Sequence, residues 1–234
     1  MNISFSYFYE DLIFFQGENM PTTVEFQDFK NLVIIAGPSA GGKDTTANRL
    51  IDTFGYHRLV STTTRAMRAG EMEGDQYRFV SESAFLDAET KGFFLEKIEF
   101  CGSKYGLSID ELYNLRELNV TIMTPAGIMA VEKYLKDAKK SGIILSKIFI
   151  DISLEDQVSR LQARGCNMNE IFTRLQSGIT NIKNTALSYD LVLNSSFQSP
   201  DEIASLVNSL VFHKKINESS KELLRHIWAL KERE

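Results

Sequence analysis

Thiol and imidazole groups are scarce in this chain. Its 234 residues hold two cysteines, Cys101 and Cys166, and three histidines, His57, His213 and His226. Two cysteines exclude a disulfide framework and a four-thiolate zinc site, and the histidines stand at no metal-ligand spacing. No apolar run approaches the ~20 residues that cross a bilayer. Excess positive charge is missing too: 26 Lys and Arg against 31 Asp and Glu leave a formal charge of −5. That balance disfavours broad binding to nucleic acid polymers or anionic membranes, while leaving room for a local basic pocket. Residues 1–15 are rich in Phe and Tyr and lack the Lys or Arg that opens a secretory signal. The chain is therefore expected in the reducing cytoplasm.

What is there reads as one α/β unit. Apolar residues at 43% and charged residues at 24% are ordinary globular proportions, and the length suits one domain with insertions. Residues 1–30 read as an aromatic-rich extension, with Met20-Pro21 as an alternative translation start. From Leu32 a short continuous run, Leu32-Val33-Ile34-Ile35-Ala36, has the character of a strand buried on both faces of a parallel sheet. Val120-Thr121-Ile122-Met123, Lys147-Ile148-Phe149-Ile150 and Leu191-Val192-Leu193 repeat it. Helical patterns follow over 126–140, 154–164 and 200–211. Strands alternating with helices imply a mostly parallel sheet with helices on both faces. Residues 62–118 break the rhythm and are expected to form an inserted subdomain of short strands and a helix. A tail over 213–234 carries Leu223, Leu224, Ile227 and Leu230 at one helix face, expected to dock on its own body.

Two segments carry chemistry. Gly37-Pro38-Ser39-Ala40-Gly41-Gly42-Lys43 fits G-x-x-x-x-G-K between a strand and a helix. Glycines let successive N–H groups converge on an anion, the helix adds its positive end, and Lys43 supplies a charge for the β/γ-phosphates. This turn, with Asp44 and Thr45, is the candidate ATP site. The position after the lysine is usually Ser or Thr, whose hydroxyl ligates Mg²⁺. Here Asp44 is either an oxygen ligand for that metal or a first-turn acid favoured by the helix dipole. The second segment runs from Ser61 to Val80. Its Arg65 and Arg68 in a polar loop, with the Tyr77 hydroxyl, form a clamp for a phosphate monoester.

With the Gly-Lys turn, this second segment resembles the guanylate kinase family. The family signature T-x-R-x-x-R-x-G-E-x-x-G-x-x-Y-x-F is met at every position from Thr63 to Phe79. The resemblance covers roughly residues 31–212. It implies a P-loop kinase core with a parallel sheet flanked by helices, a monophosphate-binding subdomain (62–118) and a helical lid (164–184). The implied activity is ATP-dependent phosphorylation of GMP or dGMP with Mg²⁺, small nucleotides being the partners. By the same resemblance Ser61, Arg65, Arg68, Glu71, Tyr77 and Tyr105 surround the GMP phosphate and ribose. Glu96 reads guanine, accepting N1–H and N2–H together, an arrangement that adenine would leave unpaired. Arg160, Arg164 and Arg174 match the lid arginines, and with Lys43 and Arg65 they are the expected catalytic cations. Asn194 matches a position near the adenine.

Three positions depart from the family. Two aspartates usually found on the strand before the glycine matching Gly127 are Ile122 and Thr124 here. A small hydroxyl residue that helps read guanine O6 is Leu107, with Ser108 adjacent. The Gly-Lys-Asp turn and the missing aspartates also resemble ribose 1,5-bisphosphate phosphokinases, which lack the full double-arginine segment. An alternative of another class is a non-catalytic guanylate-kinase-like interaction module, a type that typically loses the Gly-Lys turn.

Overall fold

The apolar run at Leu32 becomes the middle strand of a five-stranded parallel sheet. The computed structural model of the chain describes residues 29–68, 70–138, 142–183 and 188–231. The extension expected over 1–30 lies outside them except for its last two residues. Strand β1 (Lys30–Ala36) is flanked by β7 (Leu118–Ile122) and β8 (Ile143–Asp151), and the sheet is completed by β2 (His57–Arg58) and β9 (Leu191–Asn194), in the order β2-β7-β1-β8-β9. Every pairing in it is parallel.

Alternation along β1 supplies the two faces. Val33 and Ile35 pack with Ala47 and Leu50 of α1 (Lys43–Phe54) and with Ile203, Val207 and Val211 of α7 (Pro200–Lys231). Leu32, Ile34 and Ala36 pack on the other face with Ile128 and Val131 of α4 (Pro125–Asp137). Val33, Ile34 and Ile35 are fully buried, each such side chain stabilising the fold by roughly 1.5–3 kcal/mol. The expected helix over 200–211 and the separate tail from 213 are one helix, α7, continuous to Lys231. Val211 to Ser219 contains neither Gly nor Pro, so nothing stops the helix at 212. The side chains of Leu223, Leu224, Ile227 and Leu230 lie outside the described ones. Among the described residues no helix is long and apolar enough to cross a membrane.

A second sheet interrupts the alternation. Its strands are β3 (Ser61–Thr63), β4 (Tyr77–Phe79), β5 (Phe94–Phe100) and β6 (Ser103–Ser108), in the order β4-β3-β6-β5, accompanied by α2 (Glu82–Thr90) and α3 (Ile109–Tyr113). The polar start of this segment is the strand β3, with Ser61, Thr62 and Thr63 all buried between β4 and β6, and Arg65 and Arg68 lie in the loop that follows it. Two helices are present where one was expected. The remaining helices, α5 (Leu154–Ala163) and α6 (Met168–Lys183), pack against the first turn through Ala40, Leu161 and Ile171.

Candidate active site

The site lies where β1 ends, at the carboxyl edge of the parallel sheet, the place where open α/β sheets hold their ligands. Gly37 has φ 149°, and a Cβ there would stand 2.2 Å from the Ile150 carbonyl oxygen. Only glycine lets the turn pass so close to β8. Gly42, with φ 85°, caps α1 from the left-handed region. Between them the chain curls back on itself, Gly41 N–H reaching the Pro38 carbonyl at 3.2 Å.

Lys43 folds over this turn and donates to the carbonyls of Gly37 (2.9 Å) and Pro38 (2.7 Å). Burial pushes its ammonium down to about 8, Arg164 adding to the effect and Asp44 opposing it. A polyphosphate arriving there meets a cation that gains from its charge. Two long side chains hold the turn from behind. Gln157 donates to the Ser39 carbonyl at 3.0 Å. Arg160 donates to the Ala40 carbonyl, to Ser195 Oγ and to the Ser195 carbonyl at 3.2, 3.1 and 2.8 Å.

Across the cleft, Glu71 organises the loop that carries Arg65 and Arg68. Its carboxylate takes both arms of Arg65 at 3.0 and 2.7 Å and the Arg68 N–H at 2.8 Å. Burial alone would raise the Glu71 pKa, but the bonds from Arg65 and the Arg68 amide hold it below the usual carboxylate range. The Arg65 guanidinium also lies over Tyr77, 5.3 Å from the ring centroid, and over Phe79 at 5.5 Å. Tyr105 stands edge-on to Tyr77.

Glu96 owes its direction to an irregularity. Phe94 pairs with Ser108 and Glu96 with Leu107, so two residues of β5 oppose one of β6. Such a bulge re-aims the side chain that follows it. The carboxylate points toward the start of α4, where a Cβ on Gly127 would lie 3.2 Å from Glu96 Oε2. Burial raises its pKa to about 7, because desolvation penalises the charged form. Thr124 caps that helix, its Oγ1 accepting from the Gly127 N–H at 3.2 Å.

One cleft of about 190 Å³ joins these parts. Gly37, Pro38, Ser39, Ala40, Lys43, Asp44, Ser61, Arg65, Arg68, Glu71, Tyr77, Glu96, Tyr105, Arg164 and Arg174 all line it. Five cations and three carboxylates face one another there, in a chain whose net charge is −5. The side chains of Arg68, Arg164 and Arg174 make no hydrogen bond or ion pair among the described residues. Such a surplus of unpaired guanidinium suits a polyanion.

Five expected residues are not brought to the cleft wall. Gly41 and Gly42 shape the turn from within. Thr45 is exposed on α1. Asn194 spends its Oδ1 on the Ser196 N–H at 2.8 Å, closing a local turn. Arg160 is a brace on the turn rather than an open guanidinium. Leu107 is fully buried in the core and Ser108 is 2% exposed, and neither lines the cleft. Ile98 and Phe100, missed from the sequence, line it two and four residues beyond Glu96, and strand periodicity was the signal for them. Met123, Phe149 and Ile122 complete the apolar part of the lining, an apolar floor, and Thr124 lines the cleft as well.

The family model described as "Guanylate kinase" matches residues 29–213 of the chain. Among curated relatives, guanylate kinase of Geobacter metallireducens is 31% identical over 179 residues, covering 75% of this chain and 87% of that protein. Guanylate kinase of a Nostoc species is 32% identical over 188 residues, covering 78% and 91%. The crystal structure of guanylate kinase from Anaplasma phagocytophilum superimposes with a TM-score of 0.60 at 23% identity, over 81% of this chain and 88% of that one. That likeness concerns the fold.

Proposed function

Because this chain belongs to the guanylate kinase family, we propose that its cleft transfers the terminal phosphoryl group of ATP to the phosphate of GMP or dGMP. The observation that carries the reading is the meeting of the Lys43 turn with the Arg65–Arg68–Tyr77 clamp in a single cleft.

The triphosphate lies in the turn Gly37–Lys43, against converging N–H groups and the Lys43 ammonium. The acceptor phosphate sits among Arg65, Arg68, Tyr77, Tyr105 and Ser61, with Glu71 fixing Arg65. Glu96 accepts N1–H and N2–H of guanine over the apolar floor. A phosphate oxygen of GMP attacks the γ-phosphorus in line, the bond to the β–γ bridging oxygen breaks, and ADP leaves. Arg164 at the end of α5 and Arg174 on α6 neutralise the transferring group. Holding the reactants in register supplies the rest, so no covalent intermediate is needed.

Asp44 fits a role toward Mg²⁺. No group of three His, Cys, Asp or Glu among the described residues is arranged to hold a metal. A single carboxylate beside a polyphosphate suits an ion that keeps waters and takes phosphate oxygens. When bound, Mg²⁺ would neutralise charge on those oxygens, with Asp44 holding it directly or through water.

The lid (164–184) and the monophosphate-binding subdomain (62–118) are the parts that close on the two substrates, and the cytoplasm is where the nucleotides meet them. The intact Lys43 turn and the lid arginines speak for catalysis over a purely binding module. The full double-arginine segment speaks for a nucleotide acceptor over ribose 1,5-bisphosphate. Turnover measured with ATP and a panel of GMP, dGMP, AMP and ribose 1,5-bisphosphate tests this. GMP or dGMP should lead by orders of magnitude, and a leading ribose bisphosphate would replace the reading.

A further inference from the structure

Arg58 belongs to neither anion pocket, yet it is only 8% exposed, in a strand of two residues. Burying a guanidinium costs free energy unless something answers its charge. One arm donates to Asn48 Oδ1 at 2.6 Å, and Nε is buried without a hydrogen-bond partner. The other arm faces Asp44, Nη1 standing 3.9 Å from Oδ1. Asp44 and Asn48 are four residues apart on α1 and so share one face of it. The fork thus spans a single turn of the helix that begins at the phosphate turn. Asn48 anchors it and Asp44 receives its charge.

The 3.9 Å separation matters. At that distance the guanidinium offsets the carboxylate through space while leaving the Asp44 oxygens unoccupied and open to the cleft. Asp44 is also the position where a G-x-x-x-x-G-K turn ordinarily carries a neutral hydroxyl. A carboxylate there repels polyphosphate unless a cation stands behind it. We propose that Arg58 is a positioning residue for phosphoryl transfer: from its anchor on Asn48 it electrostatically offsets Asp44, so that a nucleoside triphosphate binds beside that carboxylate. This rests on the reading of the turn as a triphosphate site.

Equilibrium binding of ATP to the full chain in EDTA, followed by calorimetry, separates the two readings. The wild-type chain is measured first, and absence of ATP binding overturns the function itself. Given binding, Arg58→Met should weaken it about tenfold, and Asp44→Asn in that background should restore it to within about threefold of wild type, a coupling that additive sites do not show. Equal losses from Arg58→Met with Asp or Asn at position 44 would overturn the proposal, as would no loss at all. Melting temperatures of all variants check the fold. If Arg58→Met does not fold, Arg58→Lys replaces it. Lysine keeps the charge without the fork, so affinity within about threefold of wild type supports the role, and a tenfold loss at unchanged melting temperature contradicts it.

Discussion

Lys43 and Arg65 face the same cleft, yet they are held there in different ways. Lys43 bonds to carbonyls of its own turn, and that turn is fixed by Gly37 and by braces from Gln157 and Arg160. Arg65 is held by a side chain, the Glu71 carboxylate. The proposed donor pocket is therefore a backbone turn braced from behind by two side chains. The acceptor pocket is set by an ion pair whose cation must be shared with an arriving phosphate. The proposed donor cradle is held by its own backbone and the proposed acceptor clamp by a side-chain pair, so binding of the acceptor is where side-chain changes should register in KM.

The largest effect expected from this contrast is at the donor side. Lys43→Ala should lower kcat by a factor on the order of 10³ or more, with circular dichroism unchanged. Retained turnover would show that the turn does not hold the transferring phosphates. Glu71→Gln should act on the other pocket alone. Arg65 loses its bidentate partner, and KM for GMP should rise on the order of tenfold while KM for ATP holds. Equal changes in both constants would erase the distinction between the pockets.

The base end should respond next. Glu96→Gln should narrow the preference for GMP over AMP by about tenfold, since one acceptor becomes a donor. Equal losses for both would remove Glu96 from base reading. Its pKa of about 7 adds a pH signature. Protonation removes the acceptor pair, so KM for GMP should climb as pH falls through 7 in wild type and stay flat in the glutamine variant. The stability effect has the opposite sense. The folded state binds this proton more tightly than the unfolded chain, so Glu96 destabilises above pH 7, and that penalty fades as pH falls from about 7 toward the ordinary glutamate range. The smallest effect is at the helix beneath the base. Thr124→Ala removes the cap of α4 and should cost about 1 kcal/mol in denaturant unfolding.

Both pockets were legible in the sequence because each is a short local motif. The sheet was legible for a similar reason, β1, β7, β8 and β9 all announcing themselves as apolar runs. What was hidden depends on contacts between distant segments. Arg160 and Arg164 stand four apart on one helical stretch, but α5 packs so that Arg160 meets the turn and Ser195, a pairing across 35 residues of chain. Glu96 was visible as a residue, while its direction comes from a bulge against β6 that no propensity encodes. Arg58 carried no motif, and only its burial under α1 gives it meaning. The length of α7 could have been read, since its expected end at 211 has no breaker.

Phosphoryl transfer in this cleft requires the donor turn and the acceptor clamp to face each other closely enough for one phosphate chain to bridge them. Binding of an adenosine–guanosine molecule linked by five phosphates tests it directly. That molecule should bind at least a hundredfold more tightly than ATP or GMP alone, by effective concentration, and compete with both. Binding no tighter than ATP, or with no competition against GMP, would contradict it.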